Sequence, residues 1–152
     1  MIRRIVSGGQ TGVDRAALDA ALDAGIECGG WCPLGRLSED GTVPGIYPLQ
    51  ETPHADYAER TLWNVRDSDA TLILAWGPPT EGTAYTALCA EQLGRPSLIV
   101  NMTARPDIRE VAAWLRDREV HTLNVAGPRE SKSPGAYHGA LRFLRKLLEL
   151  AS

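Results

Sequence analysis

The sequence predicts one α/β domain of the three-layer α/β/α, Rossmann-like class, built on a five-stranded, mainly parallel sheet. Apolar runs alternate along the chain with amphipathic stretches of about a dozen residues, a pattern typical of repeated βα units. The run ATLILAW (70–76) is almost wholly apolar, as expected for a central strand that helices cover on both faces. A length of 152 residues suits a single domain spanning 1–152.

Five strand patterns and five helix patterns follow one another in order. The predicted strands are IRRIVS, IECGGW, ATLILAW, SLIVN and VHTLNVA. In the first helix Val13, Ala17, Ala20 and Ala24 recur at helical spacing, and Gly25 ends it. The other predicted helices are DYAERTLWNVRD, GTAYTALCAEQL, PDIREVAAWLRD and AYHGALRFLRKLLEL. Right-handed crossovers leave few topologies, of which we expect the flavodoxin-like strand order 2-1-3-4-5.

Composition narrows the classes of partner. Sixteen basic and nineteen acidic residues give a net charge of −3, which argues against a nucleic-acid-binding protein. The short apolar run after the first methionine predicts neither a signal peptide nor a membrane span, so we expect a cytoplasmic protein. The spacing of Cys28 and Cys32 matches neither a zinc knuckle nor a C-x-x-C pair, and with Cys89 they are expected to be reduced, semi-buried side chains rather than metal ligands.

Two glycine-bearing loops are predicted to face one crevice. In open parallel sheets, ligands bind outside the carboxyl ends of the strands, where the strand order reverses. With the order 2-1-3-4-5, this point lies between the first strand, followed by GGQTG (8–12), and the third, followed by GPPTEGT (77–83). Because each loop enters a helix, whose N-terminus carries free N–H groups and partial positive charge, the two loops predict an anion pocket.

The GGQTG loop by itself allows two interpretations. Gly8, Gly9 and Gly12 would let phosphate oxygens approach the N–H groups of residues 9–13. Alternatively, the loop is a tight strand-to-helix turn with Thr11 as N-cap and Asp14 completing a capping box. The loop matches neither G-x-G-x-x-G nor the Walker pattern, and a carboxylate at position 14 would compete with a bound anion. The residues alone leave both interpretations open.

Two further segments are predicted to reach the same edge of the sheet. Between Trp31 and Asp56, residues 32–55 show no periodicity and carry four prolines, which is typical of a lid or binding loop. This segment contains Arg36, and the loop after the last strand contains Arg129 and Ser131. Glycine, serine and basic residues are suited to holding a phosphoryl group, although either arginine could equally be an ordinary surface residue.

The second helix carries a polar stripe. Asp56, Arg60, Asn64 and Asp67 recur at spacings of four, four and three. On physical grounds alone this stripe predicts an exposed face with an Asp56–Arg60 ion pair.

Five separated segments, in order, resemble one protein family. They are SGGQTGVDRAALDAALDAGIECGGWCPLGRLSEDG, YPLQET, ERTLWNVRDSDATLI, EGTAYT and NVAGPRES. The family is that of the molybdenum carrier proteins, whose members are described as binding the molybdenum cofactor. The resemblance extends over nearly the whole chain. It implies a carrier for the molybdenum cofactor (molybdopterin), a small phosphorylated pterin-type ligand, with molybdenum enzymes as acceptors; relatives of this fold also imply a homo-oligomer.

Two stretches, SGGQTGVD (7–14) and ERT (59–61) with SDATLILAWGPPTEGT (68–83), are more distantly similar to the lysine-decarboxylase-like nucleotide phosphoribohydrolases. This resemblance implies phosphate-loop roles for Gly8, Gly9, Gly12 and the pair Gly82 and Thr83, and a pocket role for Arg60. Thr86, however, stands where these hydrolases have a catalytic glutamate, and Thr61 replaces their lysine. Because glycosidic cleavage needs a carboxylate, the sequence does not favour that activity. A nucleotide-binding protein, or a nucleoside-monophosphate phosphoribohydrolase-like enzyme with Glu81, Asp14 or a carboxylate of the segment 32–55 as general base, remains the alternative.

The predicted binding set combines these loops with aromatic and basic residues around them. A pterin-like ring is expected to rest against Trp31, Tyr85 or the segment 32–55. Gly9→Asp or Gly82→Asp is expected to weaken ligand binding while leaving the fold intact. No catalytic residue and no metal ligand is assigned. The set is Gly8, Gly9, Gln10, Thr11, Gly12, Trp31, Arg36, Arg60, Gly77, Glu81, Gly82, Thr83, Arg129 and Ser131.

Overall fold

The computed structural model describes residues 1–151, which form nine short or long strands and five α-helices. The strands are β1 (Arg4–Val6), β2 (Glu27–Gly29), β3 (Trp31–Cys32), β4 (Leu37–Ser38), β5 (Gly41–Thr42), β6 (Gln50–Glu51), β7 (Ala70–Ala75), β8 (Ser97–Asn101) and β9 (Thr122–Ala126). The helices are α1 (Val13–Ala24), α2 (Tyr57–Arg66), α3 (Glu81–Leu93), α4 (Ile108–Asp117) and α5 (Ala136–Ala151), with a 3-10 turn at Met102–Ala104.

Five strands form one parallel sheet in the order β2-β1-β9-β7-β8. The predicted α/β class with a five-stranded parallel sheet is therefore confirmed. The predicted strand order is wrong, because the last main strand lies between the first and the third, which gives 2-1-5-3-4. Both orders satisfy the right-handed crossover rule. Pairing decides between them: Asn124 of β9 is in register with Val6 on one side and Thr71 on the other.

Helices cover both faces of the sheet. Helices α1 and α4 pack against α5, whereas α2 packs against α3, so the chain forms the three layers that the sequence predicts. Leu72 and Leu74 of β7 are fully buried at the centre, as their continuous apolar run indicates. The apolar stripe of α5 contributes Leu144 and Leu148 to the same core, so this stripe covers the sheet.

The first helix begins differently from the predicted capping box. Gly12, not Thr11, is the N-cap of α1, and no side chain caps its N–H groups. The hydroxyl of Thr11 instead donates to Glu39 and accepts a hydrogen bond from the backbone N–H of Glu130. The helix ends as predicted at Gly25, whose φ of 69° is the left-handed conformation that favours glycine.

The segment 32–55 is ordered around one arginine. The guanidinium of Arg36 donates to four backbone carbonyls of the same segment, at 2.7–3.2 Å. Two small pairs of strands, β3 with β6 and β4 with β5, complete it. Its tip is tied to the main domain because Arg15 pairs with Asp40 at 3.0 Å and the side chain of Gln10 accepts from Glu39 N at 2.9 Å. The segment is therefore folded and packs over the start of α1.

Three further features bear on the predictions. Cys28, Cys32 and Cys89 are free and buried. The two ends of the described chain meet, since Ile2 N donates to Ala151 O at 3.2 Å. Among residues 1–151, none of the helices has the length and apolar composition needed to cross a bilayer.

Candidate functional site

A two-part cleft lies at the carboxyl ends of β7 and β9. Its inner cavity has a volume of about 90 Å³ and adjoins an outer cleft of about 470 Å³. Both parts are lined by Asp14, Arg60, Thr61, Gly82, Thr83 and Gly127. The inner cavity adds Gly8, Asn64, Thr86, Asn124, Val125 and Ala126. The outer cleft adds Gln10, Tyr57, Ala58, Thr80, Glu81, Tyr85, Pro128, Arg129 and Lys132.

The position of this cleft follows from the strand order. The helix that follows β7 is α3, on one face of the sheet, and the helix that follows β9 is α5, on the other. The reversal point that favours ligand binding therefore lies between β7 and β9, not between the first and third strands as predicted. The loops that flank it are residues 76–80 and 127–135, and Gly8 reaches the cavity from the neighbouring strand β1.

Arg60 and Asp14 lie side by side in both parts of the cleft. Arg60 is only 9% exposed, donates through Nη1 to Gly8 O at 2.8 Å, and lies 3.8 Å from Oδ2 of Asp14. The exposed position predicted for Arg60 on physical grounds is therefore wrong. Asp56 makes no pair with it and instead caps α2 by accepting from Ala58 N at 2.9 Å.

Asp14 is an unusual carboxyl for the start of a helix. Burial raises its pKa from 3.8 to about 6, although the charge of Arg60 and the N–H of Gln10 act in the opposite direction. Desolvation penalises the ionised form more than these partners stabilise it. The cleft therefore contains a carboxyl group that changes its protonation state near pH 6.

The N–H groups of the GGQTG loop already have partners within the protein. Gly9 N donates to the Ser7 hydroxyl at 3.3 Å, Gln10 N to Asp14 Oδ2 at 3.3 Å, and Thr11 N to its neighbour's side chain at 3.0 Å. Gly12 permits close packing, since a Cβ there would lie 2.8 Å from Glu130 N and nearer still to Pro128 O. The geometry thus favours the tight-turn interpretation of this loop, with Asp14 occupying the place predicted for a phosphate.

The start of α3 is more open. The Thr80 side chain caps the helix by accepting from Thr83 N at 3.3 Å. A Cβ at Gly82 would have no atom within 4 Å, so this first turn faces free space. Arg129 and Lys132 line the outer cleft opposite it. The carboxylate of Glu81 lies in the same first turn, so the helix dipole and the three basic side chains of the outer cleft, Arg60, Arg129 and Lys132, act against the two acidic ones, Glu81 and Asp14.

The cleft brings together seven of the fourteen predicted binding residues. They are Gly8, Gln10, Arg60, Glu81, Gly82, Thr83 and Arg129. The tyrosines Tyr57 and Tyr85, 37% and 36% exposed, supply the aromatic surface of the outer cleft.

The other seven predicted residues lie outside the lining. Gly9 and Thr11 pack beneath and beside the segment 32–55, with Gly12 against residues 128–130. Ser131 donates to Glu39 at 2.5 Å, and Gly77 forms a turn with a φ of 93°. The remaining two, Trp31 and Arg36, have their polar groups bound elsewhere: Trp31 Nε1 donates to Asp67 at 2.8 Å, and Arg36 holds its own segment.

Two buried asparagines that are not among the predicted binding residues line the inner cavity. Asn64 accepts from Trp31 N at 2.7 Å and donates to Trp31 O at 3.0 Å, so it fixes β3 against α2. Asn124 is 3% exposed, and its Nδ2 donates to Thr71 Oγ1 at 3.2 Å. An asparagine within the predicted strand VHTLNVA was the available signal. No group of three or more His, Cys, Asp or Glu in the described residues is arranged to hold a metal ion.

One family model matches nearly the whole chain. Residues 5–148 match the model of the circularly permutated YpsA SLOG family, cpYpsA. The chain belongs to the cpYpsA family. The word "permutated" agrees with the strand order: if β9 and α5 are counted first, the sheet reads 3-2-1-4-5, the order of dinucleotide-binding Rossmann sheets. In that order, the loop after β9 corresponds to the first βα turn.

A solved structure supports the same assignment. It is a protein from Syntrophus aciditrophicus SB, described as a "putative molybdenum carrier protein". It shares 45% identity with this chain, with a TM-score of 0.89, and the match covers 99% of this chain and 94% of the other. A search of curated proteins found no match. This cpYpsA protein is thus similar over nearly its whole length to a protein described in those words.

Proposed function

We propose that this cpYpsA protein is a cytoplasmic carrier that binds a small phosphorylated ligand of the molybdenum-cofactor type in the cleft and does not convert it. The observation that carries the proposal is the convergence of Arg60, Arg129 and Lys132 on a cleft bordered by the open first turn of α3. Such a site suits a phosphate, because charge-assisted hydrogen bonds and the helix dipole act together. The name of the 45% identical relative supports the ligand class.

The geometry favours the outer cleft for the phosphate. There Gly82 leaves room for oxygens to approach the backbone, whereas the GGQTG loop is filled by Asp14. A flat ring would contact Tyr57 and Tyr85, which line the same cleft. At about 470 Å³ the outer cleft lies within the usual range for small-molecule sites. The acceptors of the cargo would be molybdenum enzymes.

The first test is mass spectrometry of small molecules released from the purified protein, with molybdenum analysis. Gly82→Asp would place a carboxylate where the phosphate binds, so we expect the retained ligand to fall about tenfold or more. Gly45→Asp is the matched control, since a Cβ at Gly45 also meets nothing within 4 Å but lies away from the cleft. Equal retention by wild type and the Gly82 variant would contradict the proposal.

Gly9→Asp is unsuitable as a second probe. Gly9 has a φ of 80°, and its Cβ would lie 2.5 Å from Leu49 Cδ1. The substitution would strain the backbone and move the Leu49 side chain as well as add a charge, so a loss of ligand would not report on the cleft alone.

A second candidate function rests on Asp14. A carboxyl in the cleft with a pKa of about 6 could protonate the departing base of a nucleoside monophosphate while water adds to C1′ of the ribose, which gives the free base and ribose phosphate. Incubation with a panel of nucleoside monophosphates tests it. Base release that Asp14→Asn abolishes would establish the hydrolase and refute the carrier, whereas binding without release supports the carrier.

A further inference from the structure

Three polar atoms of buried side chains at the inner cavity lack a hydrogen-bond partner among residues 1–151. Asp14 uses only Oδ2, towards Gln10 N and Arg60. Arg60 uses Nε and Nη1, which leaves Nη2. Asn124 uses Nδ2 on Thr71, which leaves Oδ1. Within the described residues, Arg4 Nε is the one side-chain nitrogen or oxygen that is fully enclosed and has no hydrogen-bond partner. The three unpartnered atoms of Asp14, Arg60 and Asn124 are therefore not fully enclosed, and their residues line the inner cavity.

The other polar side chains at the inner cavity are already satisfied. Asn64 exchanges two hydrogen bonds with the Trp31 backbone. Thr86 donates to Gly82 O at 2.9 Å, and Thr83 shares a hydrogen bond with Thr80 at 3.0 Å. The side chains of the inner cavity therefore present to a ligand two free acceptors, Asp14 Oδ1 and Asn124 Oδ1, and one free donor group, the Nη2 of Arg60.

We propose that the inner cavity, which at about 90 Å³ takes only the edge of a ring while its faces lie against Tyr57 and Tyr85 in the outer cleft, selects an edge with two adjacent donors and one acceptor. This is the aminopyrimidinone edge shared by pterins and guanine. Its ring N–H and exocyclic amino group match the two free acceptors, and its carbonyl oxygen matches Arg60. This inference rests on the proposed function, because it requires the phosphate of the same ligand to lie in the outer cleft. Asp14 is thus a specificity-determining residue.

Adenine and hypoxanthine are the informative comparisons. Hypoxanthine lacks the exocyclic amino group, so it would leave one buried acceptor of the protein unpaired. Adenine also lacks it and reverses the rest of the edge, with an acceptor at N1 and an amino group in place of the carbonyl oxygen. An unpaired buried acceptor costs enough to weaken binding about tenfold or more. A phosphate at this inner position would be opposed by the ionised Asp14 carboxylate, so inorganic phosphate is not expected to displace the ring.

The experiment is calorimetric titration at pH 8, where Asp14 is ionised, with GMP, IMP, AMP and 6-hydroxymethylpterin phosphate. We expect GMP and the pterin to bind about tenfold or more tightly than IMP and AMP. Asp14→Asn retains an oxygen for Gln10 N–H but can present an amino group to the ligand, so the preference should disappear. Asp23→Asn, the same change on the exposed side of α1, should retain it.

The outcomes separate this inference from the proposed function. Equal binding of all four probes, or a preference that survives Asp14→Asn, overturns the selectivity and leaves the phosphate site standing, provided that Gly82→Asp still weakens binding. Binding of none of the probes overturns both. A difference between GMP and the pterin, with IMP and AMP weaker than either, supports the inference and identifies which source of the aminopyrimidinone edge the cleft prefers.

Discussion

At the scale of single residues, Asp14 makes stability depend on pH. Its pKa is raised to about 6 in the folded protein, whereas in the unfolded chain it lies near 3.9. Between these values the folded state holds a proton that the unfolded state has released. The free energy of unfolding therefore falls as pH rises from about 4 to 6, and above 6 the loss is complete.

Asp14→Asn removes this titration. Compared with the variant, the wild type should lose roughly 2 kcal/mol of unfolding free energy between pH 4 and pH 7, because each pKa unit corresponds to about 1.4 kcal/mol and part of the titration lies below pH 4. Urea denaturation of both proteins at several pH values measures the difference, in which the contributions of all other groups cancel. Parallel pH profiles for the two proteins would show that burial does not shift this carboxyl.

Gly12 and Gly25 are glycines for different physical reasons, close packing in addition to positive φ at Gly12 and positive φ alone at Gly25. Both have positive φ, at 79° and 69°, but only Gly12 faces backbone atoms, with Glu130 N 2.8 Å from a Cβ. Gly25→Ala should cost about 1 kcal/mol from its left-handed conformation alone. Gly12→Ala should cost about 2 kcal/mol more, since neither Pro128 nor Glu130 can move without shifting the loop. Equal losses in urea denaturation would contradict the close-packing role.

The charged residues of the site are easier to predict from the sequence than the neutral ones. For Arg60 the family resemblance is needed, because its spacing with Asp56 is also that of an ordinary surface pair. The role of Asn124 is not predictable in the same way, because an asparagine inside a short strand pattern only lowers the predicted strand propensity and does not indicate that its side chain lines a cavity. Arg36 was selected for its charge, but its guanidinium is taken up by four carbonyls, a use that spacing does not reveal.

At the scale of elements, the segment 32–55 depends on Arg36. A lysine has no planar fork and cannot donate to four carbonyls at once. Arg36→Lys should therefore loosen this segment by roughly 1–3 kcal/mol, while the main sheet remains folded. Limited proteolysis should cut within residues 37–49 of the variant at a concentration that spares the wild type. Arg109→Lys, at an exposed position, should behave as the wild type does.

The boundaries of regular elements were largely predictable, and the internal order of this segment was not. Helices α1 and α3 end at Gly25 and Gly94, both left-handed, as glycine after a periodic run indicates. The pairs β3–β6 and β4–β5 are two residues long, too short to produce a periodic pattern. The segment lines neither part of the cleft, so the expected lid is, in this structure, a support for the start of α1.

At the scale of the whole molecule, strand order could not be predicted from local pattern. Each βα unit specifies its own hand of crossover but not its neighbour in the sheet. The composition of β9 suits an edge strand and a central strand equally well, and only its pairing with both β1 and β7 shows that it is central. The predicted strand order puts the crevice one strand away from its observed position, yet Gly8 and Gly82 still line one cavity.

Self-association is the prediction that belongs to this scale. The exposed side of α3 carries Leu88, which is 46% exposed, and no charged residue lies between positions 82 and 90. An apolar helix face of this kind favours contact with a second copy. Light scattering after gel filtration should give a mass above the 16.5 kDa of one chain, and Leu88→Glu should reduce it to one chain. A monomeric wild type would contradict the expected homo-oligomer.

The hydrogen bond between Ile2 N and Ala151 O has a consequence for how this architecture can vary. A splice of a few residues across that junction would close the backbone into a ring without disturbing a layer. The ring could then be reopened at the exposed bend around Arg105, giving a polypeptide that starts at α4 and ends at β8. Such a circular permutant should still form the same cleft, because the wall formed by β9 and the loop after it depends on which elements pack against it and not on their order in the sequence.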